Sequence, residues 1–269
     1  MKIALIDADP ISYITGWNME KDRPNDLNAY VEEKFHSIVY AICTQVQATH
    51  VRLAFSSSPS FRQELYSLTT YKGNRGPKPA WHTAADSIVQ NIKTFASYKL
   101  PLLEADDLLS MWASHCRSMK IEYVVCSPDK DLKQVPGWYF NYRKMDGSAV
   151  HITQQEADYF LQLQLLTGDS TDNVLGIPGF GEVKAEKLLK NEDFFGRGQA
   201  IMNAYIKHFG PNYGPRFLLE TEQTLMAMNP FHTKFSTFEE DLKYGKFTET
   251  QIFDSQAFDL SGIELNPFV

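Results

Sequence analysis

The sequence predicts an α/β fold in which a parallel sheet carries helices on its faces and a smaller helical unit follows. Three features lead to this expectation: short apolar runs that end on acidic residues, helical periodicity between them, and a capping signal that opens a new helical region after a hairpin. Lys2 to Ile6 is such a run, ending on Asp7-Ala8-Asp9, as a buried strand does when it delivers a carboxylate at its carboxyl end. From Asn28 to Gln47, apolar residues at Val31, Phe35, Ile38, Val39 and Ile42 give a helix that covers one sheet face. Val51 to Phe55 reads as the second strand, and Ile121 to Cys126, running into Ser127-Pro128-Asp129, as the third. Between them, Leu102 to Met119 reads as a helix with Leu108, Leu109, Trp112 and Cys116 on its apolar side and Glu104, Asp106 and Asp107 in its first turns. Trp138 to Ile152 alternates around Asp146-Gly147, a dipeptide suited to a tight hairpin turn. Thr153 and Glu156 form a capping box for a helix that ends near Thr167-Gly168.

The chain has 269 residues, of which 43% are hydrophobic and 13% aromatic, enough for one sizeable core and an appended unit. Its opening residues lack the apolar core of a signal peptide, and no stretch approaches the ~18 apolar residues of a membrane span. Cys43, Cys116 and Cys126 are odd in number and unrelated in spacing, which points away from disulfides and zinc and toward a reducing cytoplasm. The formal charge of −7 looks unsuited to a polyanionic partner. Setting aside eight acids assigned below to one cluster gives −7 + 8 = +1, so the remaining surface is close to neutral.

Those eight are Asp7, Glu104, Asp106, Asp107, Asp129, Asp131, Asp169 and Asp172, from four segments that end strands, open helices or sit in a Gly-bounded loop. In an open parallel sheet, loops at the carboxyl ends of strands share one crevice. Carboxylates gathered there repel one another unless cations neutralise them, and hard divalent ions with oxygen ligands, Mg²⁺ or Mn²⁺, suit such a set. Any single acid has an ordinary explanation as a helix cap or a solvated loop residue. Their joint occurrence in this order carries the inference. Gly176-Ile177-Pro178-Gly179-Phe180-Gly181 then precedes a helix containing Val183, Ala185, Leu188 and Leu189, so exposed backbone amides and a helix N-terminus are available to a phosphate. Lys184, Lys187 and Lys190 are candidate phosphate contacts on that helix, although lysines there are usually solvated.

In sequence order, LIDAD, YKGNR, LEADD, SPDKD, GDSTDN and GIPGFG resemble the motifs of the flap endonuclease/5′→3′ exonuclease family, over roughly residues 1–192. The size is most similar to that of free-standing bacteriophage exonucleases. The resemblance implies a PIN-like nuclease core at 1–152 with a short helical arch at 71–100, a helix-three-turn-helix DNA-binding region at 153–235, and an acidic tail at 236–269. It implies two divalent ions: Asp7, Glu104, Asp106 and Asp107 would serve mainly the first, and Asp129, Asp131, Asp169 and Asp172 mainly the second. Tyr71, Lys72 and Arg75 match the arch base, where the lysine and arginine engage the scissile phosphate. Gly176, Ile177, Gly179, Phe180, Gly181 and Lys184 match the DNA-gripping hairpin, with a K⁺ site there. DNA with 5′ ends, flaps or nicks, RNA–DNA hybrids and replication proteins are the implied partners, in host cytoplasm if the enzyme is phage-encoded, with no membrane. Ser56 stands where the family usually has a further aspartate.

No histidine pair has ligand spacing and no Gly-x-Ser-x-Gly elbow occurs, so side-chain nucleophile schemes find no support. His115 and Cys126 read as packed residues. Two competing expectations remain: a PIN-type ribonuclease, and a catalytically silent DNA-junction binder of which Ser56 would be the sign.

Overall fold

A computed structural model of the chain describes residues 1–144 and 147–227. The elements are β1 (Lys2–Asp7), α1 (Asp9–Asp22), α2 (Leu27–Val46), β2 (His50–Ala54), α3 (Arg62–Leu65), α4 (Ala80–Val89), β3 (Ala96–Tyr98), α5 (Ala105–Ser118) and β4 (Glu122–Cys126). A 3₁₀ turn (Lys130–Gln134), β5 (Gly137–Phe140), β6 (Val150–Ile152), α6 (Gln154–Thr167), β7 (Gly168–Asp169), β8 (Val174–Leu175), α7 (Glu182–Leu189), α8 (Phe194–Phe209) and α9 (Gly214–Leu225) follow.

The first six strands form one sheet in the order β3-β2-β1-β4-β5-β6, all pairs parallel except β5 with β6. After β1 the chain first builds outward through β2 and β3, then crosses to the other side for β4. The strand order therefore reverses at β1, and the crevice beyond the carboxyl ends of β1 and β4 is where such sheets bind ligands. Alternation along β1 sends Ile3 and Leu5 toward α5, with Leu108, Leu109 and Trp112, and Ala4 and Ile6 toward α2, with Val31, Phe35 and Ile42. Both faces are covered, as a parallel sheet requires.

A third core joins α6 to α9 through Leu165, Leu166, Val174, Ile177, Ala185, Leu189, Ile201 and Tyr205. Tyr66 and Tyr71 insert into it from the segment after β2, so the helical unit and the sheet are tied together at the place where the acids gather. The box of Thr153 and Glu156 caps α6 as expected.

Some boundaries differ from the sequence reading. The helix expected from Leu102 starts at Ala105, because Leu102 has a left-handed φ of 64° and Glu104 serves as the N-cap. β3 falls inside the expected arch region 71–100 and pairs with β2, while α4 lies along α1, where Gly16 admits Trp81 and Ala85. The hairpin of β5 and β6 is present. Asp146 of its expected turn, the last residues of the expected 153–235 unit and the acidic tail lie outside the described residues. All three cysteines are buried and unpaired, and no helix among the described residues is long and apolar enough to cross a membrane.

Candidate active site

Asp7 ends β1 at the strand-order reversal, 8% exposed. Its Oδ2 accepts the Ser127 hydroxyl at 2.8 Å, and Ser127 Oγ in turn accepts the Asp129 N–H at 3.0 Å. Asp129 caps the 3₁₀ turn by accepting the Asp131 N–H at 2.9 Å. Lys130, between these two acids, places Nζ 3.0 Å from Asp131 Oδ1 and 2.9 Å from Asp169 Oδ2. Asp169 Oδ1 accepts the N–H groups of Thr171 and Asp172 at 2.7 and 3.2 Å, so the GDSTDN loop is wound around that carboxylate. From Asp172 the contacts pass to Tyr71, whose hydroxyl lies 2.9 Å from Asp172 Oδ2 and 2.7 Å from Glu104 Oε2. Lys72 Nζ sits 2.5 Å from Glu104 Oε1 and 3.6 Å from Asp172, and Arg75 pairs with Asp172. From α5 the Ala105 N–H donates to Ser56 Oγ at 2.9 Å, and the Ser56 N–H donates to Asp9 Oδ2 at 3.0 Å, beside Asp7. The ring of contacts thus closes where it began, having passed through every acidic segment.

The electrostatics follow from that layout. Asp7 is pushed from 3.8 to about 8 by burial, then by Asp9 and Asp129, against the Ser127 hydrogen bond. Burial and Asp107 push Asp106 well up, and burial with Asp129 brings Asp131 to about 6. Burial alone would raise Glu104, yet Arg62 and Lys72 outweigh it and hold its carboxyl below the ordinary range. Asp169 is likewise held down against burial by Lys130 and the loop amides. Burial keeps the Tyr71 phenol protonated.

Two of the expected residues are turned inward. Asp107 is fully buried, and its carboxylate is occupied: Arg62 Nη1 and Nη2 each bond it at 2.8 Å, and the Glu104 N–H adds a third bond at 2.9 Å. It braces the start of α5 and has no face open to an ion. Ile177 is 3% exposed within the helical core and its N–H donates to Leu166 O at 2.9 Å, so neither its side chain nor its amide is available to DNA. The rest of that hairpin presents Gly179 at a left-handed φ of 78°, exposed Gly181 as the N-cap of α7, and Lys184, whose Nζ lies 3.2 Å from Gly179 O and 4.0 Å from the Phe180 ring centroid. Gly176 is enclosed by the backbone of Leu166 and Thr167 and serves close packing.

Sequence reasoning missed Asp9, Arg62, Ser127 and Lys130. Asp9 and Lys130 adjoin assigned acids, LIDAD and SPDKD, and adjacency was the signal available. Ser56 carries no carboxylate, but it braces α5 against α1, and Asp9 supplies a carboxylate next to it.

Among the described residues, no three His, Cys, Asp or Glu side chains stand close enough together to hold an ion as placed, because Lys72, Lys130 and the two arginines lie between them. In kind, the set fits a hard divalent cation: the donors are carboxylate oxygens, gathered from four segments at one end of the sheet.

The profile of the 5′-3′ exonuclease, N-terminal resolvase-like domain matches residues 2–158. The chain belongs to this 5′-3′ exonuclease family. It is similar to the DNA polymerase I of Rhizobium leguminosarum, 30% identical over 159 residues, covering 54% of this chain and 15% of that protein. It is also similar to the exodeoxyribonuclease of Enterobacteria phage T3, 32% identical over 142 residues, covering 52% of this chain and 46% of that one. The match thus spans less than half of these relatives' length. Among solved structures, the T5 D15 protein co-crystallised with metal ions has a TM-score of 0.67 at 15% identity, covering 96% of this chain and 98% of that one. The T5 5′-exonuclease with bound zinc gives 0.68 at 14% identity and covers the same 96% and 98%. These likenesses establish the family and the fold.

Proposed function

We propose that this 5′-3′ exonuclease family member is a structure-dependent 5′ nuclease that hydrolyses phosphodiester bonds in DNA at 5′ ends, flaps or nicks, with RNA–DNA hybrids as a further substrate. The observation that carries this reading is the closed ring of acids and bases at the strand-order reversal, followed in the chain by a Gly-rich hairpin and a helix N-terminus. The likeness to phage exonucleases supports it.

Asp7, Glu104 and Asp106 would hold one divalent cation, and Asp129, Asp131, Asp169 and Asp172 a second; Mg²⁺ or Mn²⁺ suits both. Such ions, when bound, lower the pKa of water and neutralise charge on the leaving oxygen. The protein's own groups do the rest. Lys72 and Arg75, on the same side of the ring as Asp172, can turn to a phosphate and offset its charge. Tyr71 can donate its one hydroxyl proton to either Glu104 or Asp172, and Arg62 with Asp107 fixes the start of α5. Gly179, Gly181 and Lys184 offer a sequence-independent phosphate grip, where a K⁺ would add positive charge. Residues 1–152 act as the catalytic unit and the region from 153 as the DNA-holding unit, working in host cytoplasm alongside replication proteins if the enzyme is phage-encoded.

The test is cleavage of a labelled 5′-flap duplex. Asp129→Asn and Asp172→Asn are expected to lower Mg²⁺-dependent cleavage by about a hundred-fold or more, with duplex binding in Ca²⁺ retained. Wild-type rates in either variant would remove that residue from the site, and preferential cutting of single-stranded RNA would favour the ribonuclease reading.

A further inference from the structure

Between α6, α8 and α9 the helical unit leaves a cavity of about 350 Å³. Leu161, Leu165, Ile201, Met202 and Leu218 line it, so most of its wall is apolar. One wall residue breaks the pattern. Glu222 of α9 is 7% exposed, no described residue bonds to its carboxylate, and burial pushes it up to about 7. An acid buried in that way costs stability unless a donor or a cation reaches it. The described residues also end at this cavity, since Met226 and Ala227 form part of its wall. Their position is fixed. The Gln134 amide donates to Leu225 O at 2.9 Å and its oxygen accepts the Ala227 N–H at 2.9 Å, while α9 closes on an extended Met226.

The residues that come next supply what the cavity lacks. Phe231, Phe235 and Phe238 bring apolar bulk, His232 and Lys234 are the bases among them, and no acid appears before Glu239. Asn229-Pro230 is a turn-forming pair, which suits a chain that doubles back. An extended chain covers up to ~3.5 Å per residue, so Lys234 can reach Glu222, one turn of α9 before Met226, with slack for that turn. We infer that segment 231–235 of this chain folds back into the cavity, with its phenylalanine rings on the apolar wall and Lys234 beside Glu222. The chain then plugs its own helical unit. Arg62 bonds Thr224 O and Met226 O at the same end of α9, so the plug also steadies the brace at the start of α5.

The experiment uses the full chain, whose three native cysteines are buried. Glu222→Cys combined with Lys234→Cys should close an intramolecular disulfide under mild oxidation about ten-fold faster or more than Lys187→Cys combined with Lys234→Cys, in which the first thiol stands on the exposed side of α7. Phe231→Ser and Phe235→Ser should each lower the Tm by about 3 °C or more, whereas Phe253→Ser, further along the chain, should leave it unchanged. Equal oxidation rates in the two cysteine pairs would overturn the plug. A disulfide between two molecules would do the same, by placing a second copy in the cavity. Should the Glu222→Cys pair fail to fold, an unchanged Tm in both Phe231→Ser and Phe235→Ser overturns the inference without it.

Discussion

Arg62 makes the most demanding prediction, because its whole donor set is committed. The side chain is 1% exposed. Nε donates to Thr224 O at 2.8 Å, Nη1 to Asp107 Oδ2 at 2.8 Å and Glu104 Oε2 at 3.3 Å, and Nη2 to Asp107 Oδ1 at 2.8 Å and Met226 O at 3.0 Å. One guanidinium therefore joins the end of α9 to the acidic start of α5. Arg62→Met keeps the apolar stem and deletes the fork. Asp107 is then a carboxylate with no exposure that has lost both guanidinium bonds, while the carbonyls of Thr224 and Met226 lose theirs. Breaking a buried pair from one side costs about 3–5 kcal/mol, which for a chain of this size is a fall in Tm of roughly 6–20 °C.

Urea unfolding with a calorimetric scan measures that loss, and the double variant Arg62→Met with Asp107→Asn separates its cause. Removing the stranded charge should make the double variant more stable than the single one, while the two carbonyls keep it below wild type. In flap cleavage, Arg62→Met should need more Mg²⁺ for half-maximal rate, since Glu104 Oε2 loses its bond to Arg62. A loss under about 1 kcal/mol, or a double variant no more stable than the single one, would refute the claim that Arg62 and Asp107 form one unit.

Lys130 occupies a position between Asp131 and Asp169 that a cation would favour, so Lys130→Met should tighten Mn²⁺ binding several-fold in a titration followed by electron paramagnetic resonance; unchanged or weaker binding refutes this. Asp7 holds a proton in the folded metal-free chain from 3.8 to about 8 that the unfolded chain has released, so stability declines as pH rises through that window and levels off above it. Asp131, raised to about 6, adds to the lower part, whereas Glu104 and Asp169 are shifted down and change only below their ordinary values. Because a divalent ion takes the place of that proton, the Tm gain on adding Mg²⁺ should be larger near pH 8 than near pH 5, and equal gains would contradict it. In the hairpin, a Cβ at Gly176 would stand 2.3 Å from the Thr167 carbonyl carbon, so Gly176→Ala should unfold the helical unit. Gly181→Ala meets nothing within 4 Å and should leave the Tm unchanged, which makes it the clean probe of DNA contact by affinity measurement.

What could be read in advance follows the range of each signal. Asp7 and Asp129 were legible because an apolar strand ending on an acid is a local pattern, and parallel pairing then brings strand ends together whatever lies between. The Thr153–Glu156 box was legible for the same reason. By contrast, α1 gives no periodic signal because much of its buried face is Ser12, Thr15 and Gly16, and β3 has only three residues, too few to show alternation. Asp106 and Asp107 show the limit most clearly. They are adjacent and identical in type, and about 100° of helical rotation leaves one partly exposed and turns the other into the core, where Arg62 waits from 45 positions earlier in the chain.

Basic side chains make this gathering of acids tolerable within the fold. Arg62, Lys72, Arg75 and Lys130 are threaded between the carboxylates, and each holds acids from segments distant in sequence. They divide the cluster into pairs that a folded chain can tolerate. Arg62 is locked by five bonds and stays. Lys72, Arg75 and Lys130 are more exposed and lie on the open side of the ring, where cations entering the site would free them for a phosphate. Under the proposed function, the residues that neutralise the resting site and those that grip the substrate are then largely the same, so ion binding and DNA binding should reinforce each other.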